Sequence, residues 1–340
     1  MGRVRADPAV GRADPHRRAG RGGVPVTAPR ATSVAVRHLA LDAAAVATSA
    51  RLADRGVPAV LLKGAGLARR LGTEGSRVYS DVDLLVAPDD YDQAGRILTT
   101  AGFRSALPPG RPDPRLLWHE RPWHAPGPVP LVVDLHRGFH GVGDPQAFWT
   151  LLSASAESLP LAGGTVAVPD VAATALLVAL HAAAPGRSGR PYADLLRALR
   201  VFPVEVWRAA AVLAGQTDAV PAFGFGLRLA PGGAELADRL GLPRRTSRTQ
   251  WAAVRRVSGP AYVLARLAEL PAGRDRWRHL VPYLLPPPTA MRHGSRLARR
   301  GPVGLLAAYL LRFARQVASL PTAVRELRTA TRLARRSGHG

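Results

Sequence analysis

The chain has 340 residues, 47% of them hydrophobic, so it is long enough for two domains and is not wholly disordered. It has no cysteine, which excludes disulfides, thiolate metal sites and cysteine nucleophiles. Its formal net charge of +23 is concentrated near the end, because residues 274–340 hold 14 arginines and two acidic residues. Such a positive field attracts nucleic acid, anionic lipid or an acidic partner, and does not choose among them.

Residues 1–33 are rich in Arg, Pro and Gly and predict a flexible basic tail or an upstream extension. The pattern that follows predicts alternating helices and strands. The predicted elements are a helix over 33–55, a strand over 57–62, a short helix ending near 71, a strand over 82–86, a helix over 88–101 and a strand over 129–136. The Pro-rich residues 105–128 predict no regular element.

The second half of the chain predicts mostly helices. After a β-like segment over 159–168, helical patterns cover 170–184, 192–201, 204–213, 234–240, 303–320 and 322–336. We therefore expect a core domain over residues 34–155, a helical domain over 156–273 and a basic helical extension over 274–340.

Two carboxylates open the second predicted strand. Asp81 and Asp83 stand at positions i and i+2, so both side chains point to the same face. Neighbouring carboxylates repel each other, and a divalent cation relieves that repulsion. This oxygen-rich pair suits Mg²⁺, or Mn²⁺ in its place. Because unpaired charge is costly in an apolar strand, we interpret the pair as a metal site rather than a surface feature.

A third carboxylate lies on the next predicted strand. If the two strands are neighbours, Asp134 would complete a three-carboxylate site for two metal ions. It could also take a proton from an attacking hydroxyl. His136 should share its face and could be a ligand, a base or only a hydrogen-bonded neighbour. His181, in an apolar helical segment, could be an accessory site residue but is more typical of a core histidine.

Lys63 is the only lysine among 47 basic residues, and it precedes Gly64 at a turn between a strand and a helix. Backbone N–H groups at such a turn can hold a phosphate, and the Lys63 ammonium would add a positive charge. The alternative is an ordinary strand–turn–helix corner. Arg77 is a second candidate for phosphate binding, and Ser80, just before the carboxylates, is grouped with these nucleotide-binding candidates.

The two late helices are amphipathic. Their apolar stripe consists of Leu306, Leu310, Phe313, Val317 and Leu320, and their arginine cluster of Arg325, Arg328, Arg332, Arg335 and Arg336. These helices could lie on an anionic surface, bind an acidic partner, or pack on the domain with a solvated Arg face. Uninterrupted apolar segments fall short of the roughly 20 residues that cross a bilayer. We expect no transmembrane segment and a cytoplasmic protein, at most peripheral to a membrane.

The ordered motifs resemble those of the uncharacterised nucleotidyltransferases of the DNA polymerase β-like superfamily. That family's pattern is a Leu-Leu-Lys-Gly turn, an Arg before a Ser-Asp-[Ile/Val]-Asp strand, Gly-Phe/Tyr after the next helix, and a later Asp-Leu-His. The matching residues are Leu61–Gly64, Arg77, Ser80–Val86, Gly102-Phe103 and Asp134–His136. The resemblance covers residues 35–200 well.

The resemblance implies an α+β fold with a polymerase β-like core, a mixed sheet with flanking helices, followed by an α-helical domain. It implies that Asp81 and Asp83 are metal ligands, that Asp134 is the third catalytic carboxylate, and that Lys63-Gly64 holds the triphosphate. The wider superfamily usually has Gly-Ser at this turn, so the phosphate grip departs from its pattern.

The expected reaction is transfer of a nucleoside monophosphate from an NTP, with ATP as the expected donor, to an unknown hydroxyl-type acceptor. The acceptor would be a small molecule, a peptide or a protein, in natural-product or ribosomal-peptide biosynthesis. Two alternatives remain open. A non-catalytic nucleotide- or peptide-binding accessory protein would bind without turnover. A nucleic-acid-binding protein would use residues 274–340 and show salt-sensitive binding.

Overall fold

The computed structural model describes residues 28–106, 119–184, 189–255 and 257–336. A mixed sheet of seven strands occupies the first half of the chain. The strands are β1 (Val60–Leu61), β2 (Val82–Leu85), β3 (Arg104–Ser105), β4 (Glu120–His124), β5 (Val132–His136), β6 (Glu157–Leu161) and β7 (Gly164–Val168). The helices among them are α1 (Ala28–Ala53), α2 (Ala65–Arg70), α3 (Tyr91–Thr100) and α4 (Pro145–Ala154).

Helices make up the described second half. They are α5 (Val171–Ala183), α6 (Arg190–Val201), α7 (Val204–Gln216), α8 (Val220–Leu227), α9 (Gly233–Arg239), α10 (Arg248–Val254), α11 (Gly259–Glu269), α12 (Arg274–Leu284), α13 (Pro288–Gly294) and α14 (Gly301–Arg336). This architecture confirms the predicted α+β class, in which a mixed sheet with flanking helices precedes a helical part.

The strand order across the sheet is β3-β4-β5-β2-β1-β7-β6. The central strands β2 and β5 run parallel, and β1 runs antiparallel to β2 and parallel to β7. The β6–β7 hairpin extends the sheet past residue 155, where the sequence placed the end of the core domain. It joins the sheet because Leu159, Val166 and Val168 are buried in the core that α1 and α3 share with the strands.

The two faces of β2 have different neighbours. Val82 and Leu84 are buried in the cluster formed with α1 and α3. Asp83 and Leu85 point to the opposite face, and Leu85 belongs to the second cluster, built with α4 to α8. The candidate carboxylates therefore lie on the sheet face that is turned toward the helical part.

Helix α5 is the central helix of that part. The Asp170 side chain caps it, since its Oδ1 accepts a hydrogen bond of 2.7 Å from the Ala173 N–H. Ten of its thirteen residues are buried, because α7 and α8 pack around it. At Gly226 in α8 any Cβ would overlap the carbonyl oxygen of Ala179, so the absence of a side chain allows this close helix packing.

Several boundaries differ from the sequence expectation. Helix α1 begins at Ala28, inside the predicted tail of residues 1–33, of which residues 1–27 lie outside the described ranges. Strands β3 and β4 lie in the segment 105–128 and at its edge, where the sequence predicted no regular element, since β3 has two residues and β4 contains Pro122. Residues 107–118 of that segment are outside the description.

The two predicted late helices are one helix, α14, with Pro321 inside it. Proline removes one hydrogen bond from the helix. The helix nevertheless continues past Pro321, and Ala323, two residues after it, is buried. Among the described helices, α14 alone has the length and the apolar window that could cross a membrane, with a mean hydropathy of 1.2. Length and composition also select helices that do not cross one, so they do not establish a span.

Candidate active site

Three carboxylates converge on the edge where β2 and β5 begin. In the parallel pairing of these strands Asp83 stands directly opposite Asp134. Asp81 immediately precedes β2, two residues before Asp83. The neighbouring charges of Asp83 and Asp81 both act on the pKa of Asp134, as expected for groups that share one site. The condition that the two strands be neighbours is thus met.

Asp83 is 3% exposed and is held by two partners. Its Oδ1 lies 2.6 Å from the Lys63 Nζ and 3.1 Å from the His136 Nε2. Burial alone would raise the pKa of the Asp83 carboxyl, but the Lys63 charge and the His136 contact together hold that pKa well below its usual range. Asp83 is therefore an ionised carboxylate, which can only accept hydrogen bonds.

Asp134 has the opposite electrostatic surroundings. Burial, followed by the negative charge of Asp83, raises the pKa of the Asp134 carboxyl to about 7. Glu120 and Asp81 act in the same direction, and His136 opposes them. The two facing carboxyls thus have pKa values pushed far apart, one ionised at all ordinary pH values and the other titrating near neutrality. Perturbed groups of this kind are concentrated at functional sites.

The Lys63-Gly64 turn lies beside these carboxylates, directly after β1. Gly64 has a φ of 66°, a left-handed conformation that a side chain disfavours. The Lys63 ammonium is 12% exposed and lies 5.6 Å from the centre of the Phe139 ring as well as against Asp83. A compact ammonium fits between a carboxylate and an aromatic face, in a place where the larger planar guanidinium would need more room.

Arg77 is engaged with a helix of the second half. Its Nε and Nη2 each donate a hydrogen bond of 3.0 Å to the two oxygens of Asp194 in α6, and both side chains are about 10% exposed. Its Nη1 donates to the carbonyl oxygen of Gly64 at 3.5 Å. A phosphate would have to compete with Asp194 for the same N–H groups. Arg77 thus joins the candidate turn to the helical part.

Ser80 and its neighbour Tyr79 connect the start of β2 to α1. The Ser80 carbonyl oxygen accepts a hydrogen bond of 3.3 Å from Arg37. The Tyr79 hydroxyl donates one of 2.8 Å to Asp42, and its ring stacks on His38 at 4.0 Å between centroids. These contacts fix the backbone that carries Ser80 and Asp81 into the site.

The sequence did not predict that His119 and Glu120 lie beside the carboxylates. Glu120 stands opposite His136 in the β4–β5 pairing, on the face that carries Asp134. Neither could be located from the sequence, because β4 follows a Pro-rich segment and its pairing with β5 is non-local. The sequence of β4, Glu-Arg-Pro-Trp-His, has no alternation of apolar and polar residues that would have indicated a strand.

His181, in α5, contacts the site region through an aromatic ring. Its ring packs edge-on against Phe139, with 6.2 Å between centroids. Phe139 also contacts the rings of His119 and His136 and the Lys63 ammonium, so it separates His181 from the site's charged groups. Among the described residues, Phe139 therefore lies between His181 and the charged groups of the site.

Comparison with known proteins identifies one family. Residues 28–231, more than half of the chain, match the family described as uncharacterised nucleotidyltransferases. The chain is also similar to a solution structure of the antibiotic-resistance factor ANT(2'')-Ia, with 16% identity over 56% of this chain and 95% of that chain and a TM-score of 0.36. The chain is likewise similar to the crystal structure of an antigenic nucleotidyltransferase-like protein from Paracoccidioides brasiliensis, with 15% identity over 58% of this chain and 92% of that chain and a TM-score of 0.35. Both likenesses are distant, and no curated protein matches the chain.

Proposed function

The chain belongs to the uncharacterised nucleotidyltransferase family, and from this premise we propose that it transfers a nucleoside monophosphate from an NTP to a hydroxyl-type acceptor. The observation that carries the proposal is the convergence of Asp81, Asp83 and Asp134 at the start of two adjacent strands. ATP is the expected donor. The acceptor class stays open among small molecules, peptides and proteins, as does a role in natural-product or ribosomal-peptide biosynthesis.

The carboxylates fit a divalent cation by their chemistry. All three donors are oxygens, the ligand type that Mg²⁺ and Mn²⁺ prefer. The raised pKa of Asp134 reports carboxylates that are crowded in a buried place, a situation that a cation relieves. Asp81, Asp83 and Asp134 would hold the ion, which supplies Lewis-acid stabilisation of the charge that develops on the phosphates during in-line displacement.

The acceptor hydroxyl attacks the α-phosphorus of the NTP in this scheme. The new bond joins the acceptor oxygen to that phosphorus, the bond from the α-phosphorus to the bridging oxygen of the β-phosphate breaks, and pyrophosphate leaves. Asp134 takes the proton of the hydroxyl. The pKa of about 7 belongs to the site without its cation, and a bound cation would lower this pKa and keep Asp134 ionised, able to accept the proton.

Lys63 has the position and charge to act on the triphosphate. Its Nζ, 2.6 Å from Asp83, provides the positive charge nearest to that carboxylate in the described structure. When a cation and a nucleotide are bound, the ammonium can shift from Asp83 to a β- or γ-phosphate oxygen, and the Gly64 backbone permits close approach. His136 acts as a positioning residue, since its Nε2 fixes one oxygen of Asp83.

The test is transfer of label from the α-phosphate. The full chain is incubated with each α-labelled NTP, Mg²⁺ or Mn²⁺, and extract from its source, beside the Asp81→Asn/Asp83→Asn variant. The surface variant Asp89→Asn serves as the matched control. The proposal is supported if label appears in an acceptor with the wild type and with Asp89→Asn but not with Asp81→Asn/Asp83→Asn. The NTP that gives this result identifies the nucleotide donor.

Two outcomes would replace the proposal. Nucleotide binding without any transfer of label, in an extract that contains the acceptor, would indicate a non-catalytic accessory protein. Salt-sensitive binding to nucleic acid that survives loss of the carboxylates and disappears without residues 274–340 would indicate a nucleic-acid-binding protein.

A further inference from the structure

A second polar cluster lies next to the three carboxylates, on strands β4 and β5. Glu120 and His136 are direct partners across these strands, and His119 immediately precedes Glu120. The Glu120 Oε2 is 3.6 Å from the His136 Nδ1 and 3.7 Å from the His119 Nε2. The ligand atoms of the three residues all lie within 4.8 Å of one another. Both histidines are buried, with exposures of 4% or less.

One ring nitrogen of His136, Nε2, contacts Asp83, and the other, Nδ1, has no hydrogen-bond partner among the described residues. The His136 Nε2 lies 3.1 Å from the Asp83 Oδ1, which also contacts the Lys63 ammonium at 2.6 Å, so Nε2 is the ring nitrogen that donates to this carboxylate. In that tautomer Nδ1 presents a lone pair. This atom is buried, makes no hydrogen bond with any described residue, and faces the carboxylate of Glu120. The buried Nδ1 lone pair and the Glu120 carboxylate, which is 24% exposed, thus offer electron pairs to the same space, where a cation would be stabilised.

We propose that His119, Glu120 and His136 bind a transition-metal cation of the zinc class, at a site separate from the three aspartates. Two imidazoles and one carboxylate form the three-ligand set of open zinc sites, which leave a fourth position for water. Ligand atoms around one such ion, each about 2.1 Å from it, are separated by roughly 3.4 Å. The two separations from Glu120, 3.6 and 3.7 Å, are close to this value, and the two imidazole nitrogens, within 4.8 Å of each other, would move together on binding.

The contact between His136 and Asp83 has the form expected around such a metal. A histidine ligand usually donates its other ring N–H to a carboxylate, which fixes the tautomer and the ring orientation. Here Asp83 is that carboxylate, at 3.1 Å. The ion would therefore orient His136 and, through it, one oxygen of Asp83. The nitrogen-containing ligand set distinguishes this site from the all-oxygen set of Asp81, Asp83 and Asp134.

Zinc binding by the full chain tests the proposal without any nucleotide. Chelator-treated protein is dialysed against buffered Zn²⁺ and its bound metal is measured, and Co²⁺ is used as a visible probe of imidazole ligation. We expect one tightly bound Zn²⁺ per chain. Glu120→Gln and His119→Gln should each weaken binding about tenfold or more. His124→Gln, an exposed histidine on the same strand, and Asp81→Asn should bind as the wild type does.

Equal Zn²⁺ affinity of the wild type and Glu120→Gln would overturn the proposal. So would loss of Zn²⁺ in Asp81→Asn, which would place the ion among the aspartates, or a Co²⁺ spectrum of the wild type without nitrogen ligation. Because no NTP is present, a failure here is distinct from a failure of the proposed transferase activity.

An independent observation concerns helix α14, one face of which is exposed and apolar over more than five turns. The apolar residues of this face are Val303, Leu306, Leu310, Phe313, Val317, Leu320 and Val324. They recur every three or four residues, and their exposures range from 38% to 81%. A contiguous exposed apolar surface of this size marks an interaction site.

The same face continues as a basic surface. Arg328, Arg332 and Arg335 follow Val324 at the same helical spacing, and all three are exposed. The one acidic residue of α14, Glu326, points away from this face and accepts hydrogen bonds from Ser258. The face is therefore apolar in its first part and purely cationic in its last part. We call it the α14 face.

A second exposed apolar stripe lies on the neighbouring helix α12. It comprises Trp277 and Val281 of α12 and Leu285, which directly follows the helix, with exposures of 47% to 66%. Helix α12 is joined to α14, because Arg312 donates a hydrogen bond of 2.8 Å to the Tyr283 carbonyl oxygen. Tryptophan is favoured at the boundary between lipid and water.

We infer that the α14 face docks on the surface of an anionic lipid bilayer. The apolar part would enter the boundary of the acyl chains while the arginines contact lipid phosphates, as in helices that lie in the membrane plane. Nucleic acid would use the arginines but leave the apolar part in water. A second copy would bring together two chains of net charge +23, which repel each other.

Flotation of the full chain with vesicles tests this inference. Vesicles of phosphatidylcholine alone are compared with vesicles that also contain phosphatidylglycerol. We expect binding to the anionic vesicles that is about tenfold or more stronger than to the neutral ones and that falls with salt. Leu310→Gln/Phe313→Gln and Arg328→Gln/Arg332→Gln should each lose most of it. Val212→Gln, an equally exposed valine on α7, should bind as the wild type does.

Several results would overturn the inference. These are equal binding to both kinds of vesicle, unchanged binding of both α14 variants, or binding to duplex nucleic acid in place of vesicles. Self-association that protects the α14 face would assign it to a second copy. Membrane association that resists alkaline carbonate and salt alike would indicate a membrane-crossing helix instead.

Discussion

Replacing Asp134 with Asn should stabilise the metal-free protein at pH 8 while abolishing transfer. In the folded protein the pKa of the Asp134 carboxyl is about 7, against 3.8 in the unfolded chain. The folded state therefore holds a proton that the unfolded chain releases between these pH values. The resulting stability is present in full below about pH 3.8 and is lost as the pH rises through about 7. Asn carries no such ionisation.

The size of the effect follows from the shift in pKa. A difference of roughly three units, at about 1.4 kcal/mol per unit, sets an upper limit of about 4 kcal/mol. Water reaches part of the side chain, so a gain of about 1–3 kcal/mol for Asp134→Asn at pH 8 is expected. In a domain of this size that gain raises the melting temperature by about 2–10 °C.

Scanning calorimetry with a chelator at pH 5 and pH 8 measures this difference. The advantage of Asp134→Asn should be larger at pH 8, and Mg²⁺ should stabilise the wild type more than the variant. The exposed Asp89→Asn is the control and should show no pH-dependent difference. A variant that melts at or below the wild-type temperature at pH 8 would refute the reasoning, because Asp134 would then not be a strained carboxylate.

Two further predictions concern the links between the site and the helices. Arg77→Met should lower the free energy of unfolding by about 3–5 kcal/mol, because it leaves the buried Asp194 carboxylate without its guanidinium partner. The double variant Arg77→Met/Asp194→Leu should recover much of that loss. Denaturant unfolding measures both variants, and a loss below about 1 kcal/mol for Arg77→Met would contradict a buried ion pair. Gly226→Ala should destabilise the protein by about 1–3 kcal/mol because its Cβ meets the Ala179 carbonyl, while Gly215→Ala in open space should stabilise it by about 0.5–1 kcal/mol. Equal melting temperatures for the two alanine variants would argue against the close packing of α5 and α8.

The sequence predicted those parts of the site that depend on local spacing. The prediction that Asp81 and Asp83 share a face follows from the alternation of side chains along a strand, and in the structure Asp83 lies in β2 while Asp81 directly precedes it. The central α5 was predicted from its continuous apolar run. The placement of Asp134 opposite Asp83 was only conditional, because strand adjacency is set by non-local pairing that no local pattern encodes.

Other features depended on tertiary contacts that the sequence does not show. The partner of Arg77 lies 117 residues away on α6, so no spacing rule could identify it. Glu120 entered the site through its register against His136. Helix α14 continues through Pro321, where the missing N–H of proline led the sequence to predict a break.

The most direct test of the central claim is which phosphate of the nucleotide reaches the acceptor. The wild type and Asp83→Asn are incubated with the same NTP labelled at either the α- or the γ-phosphate, with Mg²⁺ and the acceptor fraction. The account predicts α-label in the acceptor, one pyrophosphate released per transfer, and no transfer by the variant. Label from the γ-phosphate in the acceptor, or undiminished transfer by Asp83→Asn, would contradict nucleotidyl transfer at these carboxylates.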